Sequence, residues 1–410
     1  MRTLYLVIGI GIVVGSLVAL FADPLAISLN NKSATSLFRL FSIFVAGSMP
    51  FLIVDGLFLP VGRTGLASLF NILTRLVVLT SCALPVWIFG ASLEQAVIVL
   101  GLSQISLTVF LILTSAWTYR SSGGNENIVR IKEQVKYALP IIGAGVFGAL
   151  FIQLDKLVVS LMATPEIFAV YSNGALENPL VQIVTVASSV VIAAELVQVR
   201  DAGDHAGFVT LWSRAIRKIG TLVIPMSCFL FAFSYEAVVL LFSSKYSDSS
   251  PIFAVYVMLA PIRIVSFGTL FMALNKNRYY LLGHIIACVA NVPVVLLGYF
   301  LLGPLGAAIG VVIVSYVLAA GLLRIGAREL KTELKQMFPW RSLLNILVSV
   351  IPATLISRLL VNWLDLGMVL GLIAGGVLFT IIGGVSMIAS KAVDLGEWPI
   401  LGRISILQRR

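Results

Sequence analysis

Arg75, Lys156, Arg263, Arg358, Asp155 and Glu177 all stand inside apolar runs long enough to cross a bilayer. A charge at mid-bilayer costs roughly 2.5 to 3.5 kcal/mol on insertion scales, so each must face protein or water rather than lipid. Such charges predict a hydrated lumen in which cations can bind an anionic group and carboxylates can take up a proton or a metal cation. Their polar neighbours recur at helical spacing. Thr64, Ser68, Asn71 and Arg75 follow at i, i+4, i+7 and i+11, one face of a helix. Gln153, Lys156 and Ser160 share a face continued by the small residues Gly145 and Ala149. Asp155 points about 100° away from Lys156, and neighbours along a helix do not pair with each other. Tyr171, Asn178, Gln182, Thr185 and Ser189 form a third stripe with Glu177 beside it, and Pro179 lacks the N–H that would bond a carbonyl one turn earlier. Asn277, His284, Cys288 and Asn291 form a fourth.

From these stripes Arg75, Arg263, Lys156, Asn71, Tyr171, Asn178 and Gln182 are the candidates to bind substrate. Asp155 and Glu177 are the candidates for ion coupling, because two carboxylates at one depth in a low-dielectric site do not both stay ionised without a cation. The competing reading is structural, with the same charges forming ion pairs between helices or snorkelling to an interface. It weighs most for Arg358. Asp55, Glu195 and Glu236 lie near the ends of apolar runs and read as interfacial. Gly11/Gly15, Gly306/Gly310 and Gly371/Gly375 read as close helix packing.

The elements that position these residues follow from composition. The chain has 410 residues, 59% hydrophobic and 11% charged, with a mean hydropathy of +1.05, against about 25% charged in a soluble domain. That excludes a soluble globular protein. Runs such as 4–22 and 367–388 are apolar on almost all sides, which excludes the alternating strands of an outer-membrane barrel. The fold class is all-α, a polytopic membrane protein of about twelve spans: 4–22, 37–58, 65–88, 95–114, 138–161, 165–198, 219–241, 251–274, 279–302, 304–323, 342–362 and 366–389. Lys and Arg accumulate in cytoplasmic loops, and most of the 28 basic residues fall on one side when both termini are placed there, leaving Lys32, Arg39 and Lys245 opposite. Both termini are therefore expected in the cytoplasm. Orientation and anionic lipid account for the net charge of +10 without a nucleic-acid partner. The three cysteines and two histidines show no disulfide or zinc spacing, and no phosphate loop or catalytic motif is present. No cofactor, metal or catalytic residue is expected, and the chain does not read as an enzyme.

At an offset of about 215 residues the chain repeats: 38–63, with Pro50, overlays 253–278, with Pro261. Spans one to four recur as seven to ten, and nothing precedes span one to match spans five and six. The expectation is a first lobe lacking two helices. The domains read as a four-helix lobe (1–116), a cytoplasmic linker (117–137), a six-helix lobe (138–323), a cytoplasmic loop (324–341), an extra helix pair (342–389) and a cytoplasmic tail (390–410).

Ala138-Leu139-Pro140, then Gln153-Leu154-Asp155-Lys156-Leu157-Val158-Val159, then Pro165-Glu166 and Ala169-Val170-Tyr171-Ser172-Asn173 resemble the polysaccharide flippases, the Wzx-type O-antigen and exopolysaccharide transporters of the multidrug/oligosaccharidyl-lipid/polysaccharide exporter superfamily. Asn291 leading into Gly303-Pro304-Leu305-Gly306-Ala307-Ala308 resembles that family's Asn-rich helix and its glycine-alanine turn. Ala169 stands where the family commonly has glycine. The resemblance implies a flippase that moves a polyprenyl-diphosphate-linked oligosaccharide to the outer leaflet of the cytoplasmic membrane by alternating access, for lipopolysaccharide or exopolysaccharide synthesis. It implies membrane lipids, a polysaccharide polymerase and chain-length machinery as partners. The rivals are a drug or metabolite antiporter of the same superfamily, which a basic lumen disfavours, and a membrane polymerase or acyltransferase, which short outer loops disfavour.

Overall fold

Backbone polar groups inside a bilayer must bond within their own segment, so apolar runs bounded by glycine, proline and short polar turns fold as helices. The computed structural model describes residues 2–28, 34–59, 61–121, 131–364 and 367–393, and among these there is no strand. Arg130 and residues 122–129 of the expected linker, Lys32, and residues 394–410 of the expected tail with Arg403, Arg409 and Arg410 lie outside the described residues. The chain divides into two compact units, Met1–Ile128 and Val129–Arg410.

The first unit comprises α1 (Arg2–Leu20), α2 (Ala22–Ser28), α3 (Ala34–Ser48), α4 (Val54–Phe58), α5 (Thr64–Phe89) and α6 (Leu93–Ser121), with a 3-10 turn Met49–Ile53 between α3 and α4. Small residues let α1 and α3 touch backbone to backbone: a Cβ on Gly11 would lie 2.6 Å from the carbonyl oxygen of Ala46. Leu4, Phe58, Phe70 and Leu111 are fully buried at the centre, with the rings of Phe58 and Phe70 stacked 5.6 Å apart.

The second unit comprises α7 (Ile131–Met162), α8 (Pro165–Gly174), α9 (Pro179–Asp201), α10 (His205–Ala232), α11 (Ser234–Phe242), α12 (Ser250–Val257), α13 (Ala260–Arg263), α14 (Phe267–Ala273), α15 (Asn277–Glu329), α16 (Leu334–Met337), α17 (Trp340–Leu364) and α18 (Met368–Ala389). Its largest core packs Phe208, Trp212 and Ile216 of α10 with Leu270 and Phe271 of α14 and Met337 of α16. The two proline-bearing crossings that the repeat pairs are both broken: Pro50 lies in the 3-10 turn and Pro261 in the four-residue α13.

The sixth expected span, 165–198, is two helices rather than one. Pro179 is the first residue of α9, where its missing N–H removes no helical bond, and the carbonyl expected to be freed by a mid-helix proline does not arise that way. The Asn178 side chain accepts from the Leu180 N–H at 2.9 Å and starts α9.

Among the described residues eleven helical segments are long and apolar enough to cross a membrane, and α15 is long enough for two crossings; the expected span 219–241 is interrupted at Phe233, between α10 and α11. A straight helix of 53 residues would rise about 80 Å, far more than the roughly 30 Å of a hydrocarbon core. It folds back at Leu302 and Gly303, where Gly303 has φ +62° and ψ −149° and is followed by Pro304. Only glycine adopts that conformation without strain. Gly298 and Gly306 face each other across the bend, and a Cβ on either would overlap the other's backbone carbonyl. At the far end Lys276 and Glu329 clip the two arms together at 2.9 Å, and the Glu329 carboxylate holds the Lys276 ammonium above its usual pKa. Gly306→Val is expected to destabilise the protein by about 1 to 3 kcal/mol or more, the range for overpacking, read as a lower midpoint of thermal unfolding in detergent. Gly321→Ala, in open space on the same helix, is the control expected to leave that midpoint unchanged.

Candidate functional site

Asp155 of α7 is completely buried. Its Oδ2 accepts from the hydroxyl of Tyr171 on α8 at 2.7 Å and from that of Tyr256 on α12, while its Oδ1 has no hydrogen-bond partner. The two hydroxyls are 3.4 Å apart. Both rings reach one carboxylate because α8 stacks directly on α12: a Cβ on Gly174 would lie 2.6 Å from the Ser249 carbonyl oxygen, and the Ser249 hydroxyl donates to the Val170 carbonyl at 2.7 Å. Thr164 caps α8, and the backbone N–H of Glu166 together with the Thr164 hydroxyl lowers the pKa of the Glu166 carboxyl, a favourable charge at a helix start.

Lys156 turns away from Asp155, as helical spacing requires. Its Nζ donates to the Ile152 carbonyl at 3.3 Å and lies 5.6 Å from the centre of the Tyr256 ring, a cation–π contact.

Glu177, in the break between α8 and α9, receives both arms of the Arg263 guanidinium. Arg263 Nε donates to Oε2 at 3.1 Å and a terminal nitrogen to Oε1, the bidentate geometry that makes such pairs strong. Gln182 donates to the same carboxylate at 3.4 Å. Arg263 is itself held from behind, since the Thr185 hydroxyl donates to its carbonyl at 2.9 Å. Arg263 also lines a cavity of about 460 Å³ whose walls include Gly145 and Gly148 of α7 and Tyr280, His284 and Ser315 of α15. Glu177 lies on the other side of the guanidinium, in a narrow cleft shared with Asn178, Gln182 and Tyr256. His284 stacks edge-on against Tyr280, centroids 4.4 Å apart, and its Nδ1 meets the Tyr280 carbonyl at 3.0 Å.

Seven of the nine residues singled out in the sequence thus lie around Tyr256 and Arg263 in one unit: Lys156, Asp155, Tyr171, Glu177, Asn178, Gln182 and Arg263. Asp155 and Glu177 do not share a cation; each has its own partners, tyrosines for one and arginine for the other. Asn71 and Arg75 belong to the other unit. Both are exposed along α5, Asn71 donates to Asp55 at 2.9 Å, and Arg75 has no ion-pair partner among the described residues. Arg358 pairs with Glu236 and lies 5.1 Å from the Phe233 ring centre, a link between α17 and α11. Tyr256 was missed in the sequence, where it reads as one more aromatic in an apolar run; the signal was its hydroxyl, which a buried tyrosine must satisfy. Asp55 was read as interfacial, although its partner Asn71 already stood in a polar stripe. Among the described residues no group of three His, Cys, Asp or Glu could hold a metal ion.

This fold is found in known transporters. The structure is similar to that described as "Lipid II flippase MurJ, inward closed conformation", with a TM-score of 0.63 at 15% identity over 93% of this chain and 82% of that one. It is also similar to the Vibrio cholerae MATE transporter VcmN, with TM-scores of 0.62 for a mutant, at 13% identity over 80% of this chain and 78% of that one, and 0.60 for the bent form, at 13% over 81% and 79%. The fold is the one these transporters share. Residues 2–251, more than half of the chain, match the family described as "Polysaccharide biosynthesis protein", and the chain belongs to that family. No curated protein matches it in sequence.

Proposed function

We propose that the protein is a flippase that carries polyprenyl-diphosphate-linked oligosaccharide from the inner to the outer leaflet of the cytoplasmic membrane by alternating access, supplying lipopolysaccharide, O-antigen or exopolysaccharide synthesis. The observation that carries the reading is Arg263. It is a guanidinium inside a membrane-spanning unit, on the wall of a cavity of about 460 Å³, and its anionic partner is displaceable because 38% of the arginine side chain is exposed. A diphosphate presents the same bidentate oxygens as a carboxylate, so it can replace Glu177 on Arg263. The family membership and the likeness to a flippase of lipid II support a lipid-linked substrate. Within the second unit Lys156, Tyr171, Asn178 and Gln182 complete the polar surroundings of Arg263, and in the first unit Arg75 and Asn71 offer a cation and a polar neighbour of their own. Asp155 and Glu177 couple transport to a proton or sodium gradient. A polysaccharide polymerase and chain-length machinery are the partners that would use the product.

The test is transport by purified protein in proteoliposomes, with and without an imposed ion gradient. A lipid-linked oligosaccharide that becomes accessible to an external glycosidase only when the protein is present is the expected result. Export of cationic dyes without oligosaccharide transport would assign the antiporter activity instead.

Orientation has its own test. With the three native cysteines replaced, Thr210→Cys and Ser244→Cys, both at exposed positions, are expected to react with an impermeant thiol reagent from the cytoplasmic and the outer side respectively. The reverse pattern would place both termini outside.

A further inference from the structure

Away from this site, α10 and the turn after α15 enclose a cavity of about 610 Å³ whose lining includes Arg214, Arg217, Lys331 and His205, with Ser213 and Thr332, and no acidic side chain. Among the described residues, the carboxylates that adjoin these elements in the chain have other partners or lie outside the lining. Asp204 accepts from the Gly207 N–H at 2.8 Å, Asp201 pairs with Arg200, Glu329 pairs with Lys276, and Glu333 is exposed outside the lining. Neither Arg214 nor Lys331 has an ion-pair partner among the described residues.

Two features say what such a cavity holds. Lys331 occupies the residue just past the end of α15 with φ +52°, a left-handed conformation that glycine adopts freely and a lysine adopts at a cost. Gly90 at the end of α5 has φ +61°, and Lys391 after α18 is a second lysine in this conformation, with φ +53°. At the end of α15 the lysine joins the cavity lining. The second feature is depth. From Gly220 to Ala232 α10 carries no charge, so Arg217 stands at the hydrocarbon edge and His205 about 18 Å further out along the axis. The cavity therefore spans the head-group layer, and the exposed Trp340 beside the lining residue Pro339 sits where interfacial tryptophans do.

We infer that this cavity binds a phosphate group presented at the membrane surface, the head group of an anionic phospholipid, through Arg214 and Lys331. Basic pockets between membrane helices take such head groups because the leaflet supplies phosphate at that depth and high local concentration. A soluble phosphate compound carries the same chemistry, and the experiment separates the two. The inference is independent of the flippase reading.

The full-length protein is reconstituted in phosphatidylcholine nanodiscs with increasing brominated phosphatidylglycerol, and quenching of its tryptophan fluorescence is followed. The wild type is expected to show a saturable component at low mole fraction that brominated phosphatidylcholine does not produce. In Arg214→Gln/Lys331→Gln the mole fraction for half-saturation is expected to rise about tenfold. Lys335→Gln/Arg341→Gln, which removes the same charge at exposed positions outside the lining, is expected to retain the component. Pyrophosphate added to phosphatidylcholine nanodiscs and followed by calorimetry is the second arm. Pyrophosphate binding that the first variant abolishes, without any phosphatidylglycerol preference, would keep the phosphate site and assign it to a soluble ligand. Equal loss in both double variants, or neither lipid preference nor pyrophosphate binding in the wild type, overturns the proposal.

Discussion

Arg263→Ala is expected to lower both the amount of protein in the membrane and the rate of flipping, and removing Glu177 as well separates the two losses. Deleting one member of a buried pair leaves the other charge without its partner, at a cost of about 3 to 5 kcal/mol. Here the figure is an upper bound, since the Arg263 side chain is 38% and the Glu177 side chain 14% exposed. In Arg263→Ala/Glu177→Ala no orphan carboxylate remains, so the protein level is expected to recover. Flipping per molecule is not. Hydrogen bonds to a charged group contribute about 1.5 to 3 kcal/mol, and at 1.4 kcal/mol per tenfold the loss is about 10- to 100-fold. Arg263→Lys is expected to rescue partially, because a point charge replaces a planar fork. Glu177→Gln alone frees the guanidinium and is expected to lower KM for the lipid-linked substrate. The measurement is transport of a fluorescent lipid-linked oligosaccharide, normalised to reconstituted protein. Full activity per molecule in the double alanine variant would assign Arg263 to the fold alone.

Asp155→Ala is expected to cost about 2 to 6 kcal/mol of stability. It leaves the hydroxyls of Tyr171 and Tyr256 buried without their acceptor, at about 1 to 3 kcal/mol each. Asp155→Asn keeps an acceptor oxygen for both and is expected to keep the protein folded, with an unfolding midpoint near that of the wild type. It cannot cycle between an anion and a neutral acid, so stimulation of flipping by an imposed proton or sodium gradient is expected to vanish while slow downhill flipping persists. The unpartnered Oδ1 is the acceptor left over for the coupling ion. Gradient stimulation that survives in Asp155→Asn would move the coupling to Glu177 or His284.

What could be read from the chain divides along a physical line. Crossings were legible because hydropathy and charge act locally: the Gly303-Pro304 bend is written in two adjacent residues, and the separation of Asp155 from Lys156 follows from the helix period alone. Partners were not legible. Glu177 and Arg263 are 86 residues apart, and Asp155 and Tyr256 are 101 apart. A helical period tells which residues share a face but not how far that helix is rotated against its neighbours. The expected helix over 165–198 breaks at a local signal that hydropathy alone does not weigh: Gly174 ends α8, and Asn178-Pro179 caps and opens α9. The packing of Gly174 on Ser249 fixes the stop.

The hairpin of α15 has a mechanical consequence. Its arms meet at Gly298 and Gly306 with no gap for sliding and are tied at the other end by Lys276 and Glu329, so they are fastened at top and bottom like a door leaf between two rails. One arm brings Tyr280 and His284 to the cavity and the other brings Ser315. Any swing that displaces the histidine must carry the serine through the same angle, so this wall of the cavity travels as one panel and the aperture is set by what α7, α9 and α14 do against it.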